Sequence, residues 1–151
     1  MFHQLIVQFL FDALRAAVLS RGQGGFVITA PLPIRLFAGT LREPDVVFLE
    51  KHRVIDAKQP PQGADLVVEV VSEGRDNHKR DWEDKRADYA RARIAEYWIV
   101  DPEEQVVSVL VLEQAAYRED QHCGIGASAV SRLLPAFHVS VAAVFAAGEV
   151  K

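Results

Sequence analysis

The sequence predicts an α/β fold, a mixed sheet flanked by helices. Three observations predict it. A helical period opens the chain over residues 2–20, short apolar runs of strand length follow from Phe26 to Val71, and a second helical period at 77–92 separates those runs from a later hairpin. The chain has 151 residues, half of them apolar, which suits one domain spanning 1–151 with a core of its own.

The elements follow in order. Gln4, Gln8, Asp12 and Arg15 mark the polar face of the first helix, and Phe2, Leu5, Ile6, Phe9, Ala13 and Ala16 mark the face expected to be buried. Arg21-Gly22-Gln23-Gly24-Gly25 ends it in a turn. Phe26 to Ala30 reads as a strand. Leu32, Ile34 and Leu36 alternate in a second, whose start Pro31 and Pro33 confine to an edge or a bulge. Val46 to Leu49 is a third, and Lys51 to Ala64 is a polar loop. Leu66 to Val71 is largely β-branched and so expected to be central. After the helix at 77–92, Tyr97 to Val100 and Val106 to Leu112 pair as a hairpin across Asp101-Pro102-Glu103-Glu104. Residues 115–131 are expected to hold another edge strand, and Val141 to Ala147 a short terminal helix.

Composition narrows the function classes. The single cysteine, Cys123, excludes an intramolecular disulfide and a cysteine-built zinc cluster, as in a reducing cytosol. The net charge of −4 gives no globally basic surface. The apolar run Leu5 to Phe11 lacks a basic leader and a small-residue cleavage site. No uninterrupted apolar stretch reaches the roughly 18 residues of a membrane span. A cytoplasmic protein without a membrane partner is expected.

Glu69 is the most informative residue. It lies inside Leu66-Val67-Val68-Glu69-Val70-Val71, and strand alternation puts Asp65, Val67, Glu69 and Val71 on one face. A carboxylate in a buried strand costs several kcal/mol, of order, unless compensated. It is either an edge-strand side chain reaching water, or a metal ligand or acid–base group. Asp45 opens the strand Val46 to Leu49, a place where aspartate is also common as a turn residue. Lys85 shares a helical stripe with His78, Trp82, Tyr89 and Ala92. It either snorkels over apolar surface or reaches a carboxylate on the strand beneath. Two carboxylates suit Mg²⁺, and a lysine can position water or offset phosphoryl charge. A buried structural ion pair between Glu69 and Lys85 is the remaining alternative.

Between Arg75 and Arg93 seven Lys/Arg stand against five Asp/Glu, a local +2 that suits either phosphate contacts or a solvated helix laced with ion pairs. His3, His52, His78, His122 and His138 show no ligand spacing, and most read as surface or loop residues. Ser72 lacks the flanking glycines of a nucleophile elbow.

Pro44-Asp45-Val46-Val47-Phe48, Gly63 through Ser72, Asp81 with Lys85 and Tyr89, and Glu96 through Pro102 resemble successive motifs of the Uma-two family of putative restriction endonucleases. Ser131 through Pro135, with Phe137 and Val139, resembles its closing strand, so the likeness runs from His3 to Phe145. The resemblance implies a PD-(D/E)XK restriction-endonuclease-like core, dependence on Mg²⁺ or Mn²⁺, and DNA as substrate. Asp45 would be the aspartate of that signature and Glu69 its acidic partner, both as metal ligands. Val71 stands where the signature lysine usually lies, and the family's helix-borne lysine falls on Lys85. Family members usually carry an acidic segment before a His-Gln pair. Here that pair is His3-Gln4, so a helper acid and an edge strand are expected to be missing. The expected function is a Mg²⁺-dependent DNA endonuclease. Its rival is an inactive relative acting as a DNA- or protein-binding module, and a homodimer stays open.

Overall fold

The computed structural model describes residues 1–74 and 79–150. Asn77 and His78, placed by the sequence at the start of the second helix, lie outside the described residues, as do Arg75, Asp76 and the side chain of Asp81.

The chain runs α1 (Phe2–Ser20), β1 (Phe26–Thr29), β2 (Ile34–Phe37), β3 (Thr40–Arg42), β4 (Val46–Leu49) and β5 (Leu66–Val70). A π-helical turn (Arg80–Lys85) continues into α2 (Arg86–Arg91), and β6 (Glu96–Asp101), β7 (Val106–Glu113), β8 (Ala116–Cys123), β9 (Ser128–Val130), β10 (His138–Ser140) and α3 (Val141–Ala146) follow. Six strands form one mixed sheet in the order β1-β4-β5-β6-β7-β8. Only β5 and β6 are parallel neighbours in it; the other pairings are antiparallel. A parallel pair needs a crossover between its strands. The segment carrying the π-helical turn and α2 is that crossover, which is why it packs over the face that includes Glu69.

Alternation along the strands divides the interior in two. Val46, Phe48, Leu66, Val68, Val70, Trp98 and Val100 face α1 and α3, where Trp98 stacks on Phe137 at 4.4 Å. Val47, Leu49, Val67, Val71, Tyr97 and Ile99 face α2 and the β2–β3 hairpin. The central place expected for β5 holds, since β4 and β6 flank it and all five of its residues are buried.

Three sequence expectations change. The buried stripe of α1 is Ile6, Val7, Leu10, Leu14, Ala17 and Val18, while Phe2 and Ala16 are exposed. Apolar residues nearly encircle this helix, so its polar positions alone do not fix the seam. By length and average composition α1 is also long and apolar enough for a membrane span, although Gln4, Gln8, Asp12 and Arg15 interrupt its apolar run, as the sequence reading has it. Its apolar stripe packs on the sheet. The strand after Pro33 forms at an edge and carries a bulge between Arg35 and Phe37, as expected, but its partner is β3, a strand the sequence reading lacked, in a separate hairpin outside the main sheet. Residues 115–131 resolve into the expected edge strand, β8, and β9, which pairs with β10.

Candidate active site

The site forms where β4 begins and β5 ends. Their antiparallel register pairs Val46 with Val68 and Val47 with Val67. One step further brings Asp45, just outside the ladder, beside the Glu69–Val70 segment. The Asp45 carboxylate accepts the Val70 backbone N–H at 2.7 Å, and its own carbonyl accepts the Ala30 N–H at 3.0 Å. A residue that also reads as a strand-entrance turn is therefore tied to the end of the central strand.

Glu69 is 2 % exposed. Its Oε1 accepts the Tyr89 hydroxyl at 2.5 Å, and the Lys85 Nζ stands 3.1 Å from its Oε2. The reading of Glu69 as an edge side chain in water fails, because β5 is interior and the crossover helix covers this face. Trp82 packs against the same cluster as buried Tyr89, so Lys85 lies between two inward aromatic residues, as its helical stripe predicts. It closes the last residue of the π-helical turn, and such turns recur at functional sites. Of its two alternatives, snorkelling or reaching the strand carboxylate, the second holds.

The electrostatics follow from burial and neighbours. Burial pushes the Glu69 carboxyl up to about 7; Lys85 opposes that shift and the negative charge of Asp45 adds to it. Burial, with the adjacent Glu69, also pushes the Tyr89 hydroxyl well above its ordinary range. Tyr89 thus remains a proton donor to Glu69 at neutral pH. Arg42 bonds the Asp88 carboxylate at 2.6 Å and Arg86 donates to the Tyr117 carbonyl at 3.1 Å, clamping α2 between β3 and β8.

The structure therefore brings Asp45, Glu69 and Lys85 together. Sequence reasoning missed two other groups. The helical stripe puts Tyr89 on the same face as Lys85, but nothing in the sequence marks it as a partner of Glu69. His3 carries no ligand spacing that would single it out, yet its Nε2 lies 3.1 Å from the Val70 carbonyl oxygen and 3.4 Å from Asp45 Oδ2. No spacing rule signals it, because its partners lie far along the chain. The hydrogen bond to Asp45 raises the His3 pKa against partial burial.

Not every buried carboxylate belongs to this site. Glu96 accepts the Trp98 indole N–H at 2.6 Å and the Arg132 and Leu133 N–H groups, fixing the loop before β10. Asp101 accepts the Glu103 and Glu104 N–H groups and caps the β6–β7 turn.

Among the described residues no cluster of three or more His, Cys, Asp or Glu side chains is gathered as a metal site. Mg²⁺ does not require one, since it commonly keeps several waters and takes one or two carboxylates. Asp45 and Glu69 fit that pattern. Each carboxylate retains acceptor capacity beyond its present bonds, and the charge of one already disfavours ionisation of the other. A cation would relieve that repulsion.

The Uma2 family, described as a putative restriction endonuclease, matches residues 1–142. No curated protein matches the chain. Among solved structures it is similar to the crystal structure of a putative nuclease belonging to DUF820 from Anabaena variabilis. That likeness has a TM-score of 0.74 at 14 % identity, over 99 % of this chain and 83 % of the other. It is a likeness of fold, and it agrees with the expected mixed sheet flanked by helices.

Proposed function

The chain belongs to the Uma2 family, described as a putative restriction endonuclease, and from that premise we propose that it hydrolyses phosphodiester bonds in DNA with Mg²⁺, Mn²⁺ serving in its place. The observation that carries this reading is the arrangement around Glu69. A buried carboxylate in the central strand has Lys85 and Tyr89 on its helix side and Asp45 at its open end.

Asp45 and Glu69 are the residues that would hold the cation. When bound, it supplies Lewis-acid stabilisation of phosphoryl charge and a water of lowered pKa. The other roles fall to the protein's own groups. Tyr89 fixes one oxygen of Glu69 and so sets the plane of the carboxylate. The Lys85 ammonium, 3.1 Å from the other oxygen, is placed to hold the attacking water and offset charge developing on the phosphate. Helix residues rich in Lys and Arg lie on the same side of the sheet and supply phosphate contacts.

The direct experiment is nicking of supercoiled plasmid. Wild-type protein is expected to nick with Mg²⁺ or Mn²⁺, to stop when EDTA is added, and to lose the activity in Asp45→Asn. Cleavage that persists in Asp45→Asn, or none by the wild type across both metals and several DNA forms, would overturn the reading. The closed Glu69–Lys85 pair favours one rival, a family member in which these residues form a structural ion pair and the domain only binds. Absent cleavage together with retained DNA affinity would favour that rival.

A further inference from the structure

We propose that His3 is a positioning residue that holds the Asp45 carboxylate in place from the opposite face of the sheet. The β4–β5 ladder ends at the Val46–Val68 pair, so backbone pairing does not fix the Asp45 side chain. Two contacts do. The Val70 N–H donates to Asp45 Oδ2 at 2.7 Å, and His3 Nε2 stands 3.4 Å from the same oxygen. His3 Nε2 is also 3.1 Å from the Val70 carbonyl. A carbonyl only accepts, so Nε2 carries the hydrogen. Asp45 Oδ2, both polar groups of Val70 and the His3 ring therefore form one local network. It joins the first turn of α1 to the end of β5.

The surroundings suit a positioning role. The His3 side chain is 32 % exposed and that of Asp45 18 %, so neither is sealed in the core. The pair stands between two clefts. One, of about 360 Å³, is lined by Gln4, Gln8, Thr29 and Asp45; the other, of about 530 Å³, by His3, Ser72, Glu73 and Asp101. Asp45 is thus reachable from outside and needs a fixed orientation to act. With its Nε2 hydrogen shared between the Val70 carbonyl and Asp45 Oδ2, that nitrogen has no lone pair for a metal, so His3 acts through Asp45. The functional consequence rests on the metal-site reading above; the positioning itself does not.

The test uses the whole chain, metal-free and ¹⁵N-labelled, with His3→Phe and His3→Gln. Phenylalanine keeps the ring shape and removes the donor, while glutamine offers an N–H for the same carbonyl. Hydrogen exchange at the Val70 amide is expected to quicken about tenfold in His3→Phe with Val68 unchanged, and to return to within about threefold of wild type in His3→Gln. A titration with Mn²⁺ alone, followed by its paramagnetic resonance, is expected to show about tenfold weaker binding in His3→Phe and recovery in His3→Gln. Unchanged Val70 exchange in His3→Phe would overturn the proposal. So would equal acceleration at Val68 and Val70, which marks general loosening of α1. The selective Val70 response without Mn²⁺ binding by the wild type supports His3 and instead overturns Asp45 as a metal ligand.

Discussion

At the residue scale, Glu69 combines a folded-state pKa raised to about 7 with an ordinary value of 4.5. A raised carboxyl pKa contributes stability that is fully present below the unfolded value and lost as pH rises through the folded one. The window here is about pH 4.5 to 7, and the loss from this one group is up to about 3 kcal/mol. Glu69→Gln removes the titration and keeps the shape. The metal-free variant is expected to melt at or above wild type at pH 8, with that advantage disappearing toward pH 5. If it is instead about 3–5 kcal/mol less stable at pH 8, the pair with Lys85 is structural. Lys85→Met separates the other role. A charged ammonium has no lone pair for a metal, so Mn²⁺ affinity should stay within about threefold of wild type. Plasmid cleavage should fall by roughly 10²–10³-fold, as for loss of one transition-state donor. Wild-type cleavage by this variant would remove Lys85 from the mechanism.

At the scale of elements, the β5–α2–β6 crossover does most to build the site. Parallel pairing of Leu66 with Glu96 through Val70 with Val100 requires the chain to return over the sheet, and it returns with Lys85 and Tyr89 facing Glu69. The same segment carries exposed Lys79, Arg80 and Arg91, with Arg91 stacked 3.9 Å above Phe37. Phosphate contacts from these residues would release counterions. DNA affinity measured by fluorescence anisotropy is expected to fall linearly on a log–log plot against salt, with a slope of about −0.9 per contact. Arg91→Ala should make that slope shallower by about one. Affinity indifferent to salt would move the DNA face elsewhere on the molecule.

At the scale of the whole molecule, the sheet is packed on both faces, and the site sits at the end of two of its interior strands, where β4 begins and β5 ends. Glu69 belongs to a strand fixed by the two cores, and Asp45, just before β4, is held by the Val70 N–H, so the arrangement is preorganised before any cation arrives. A ligand that binds only the folded state adds about 2.7 kcal/mol at a hundred times its dissociation constant. For a chain of this size that is a rise of roughly 5–10 °C in melting temperature. Mg²⁺ is expected to give such a rise in the wild type and none in Asp45→Asn, by calorimetry in DNA-free buffer. Equal shifts in both proteins would place cation binding away from Asp45.

The sequence by itself determined the local periods and what they demand. Branched residues around Glu69 require an interior strand, and β5 is interior. Trp82, Lys85 and Tyr89 recur at helical spacing, and the helical segment turns Lys85 and Tyr89 to Glu69. Alternation and helical spacing are properties of neighbours in the chain, so they are legible without a fold. Long-range choices were not. Apolar residues surround α1, so only docking on the sheet selected Ile6, Val7, Leu10 and Leu14 as its seam. The residues after Pro33 are strand-like, but only tertiary competition for partners placed them beside β3 rather than in the main sheet. His3 meets Val70 across 67 positions of chain. That contact depends on the docking angle of a whole helix, which comes from the summed packing of its buried face rather than from any residue near His3.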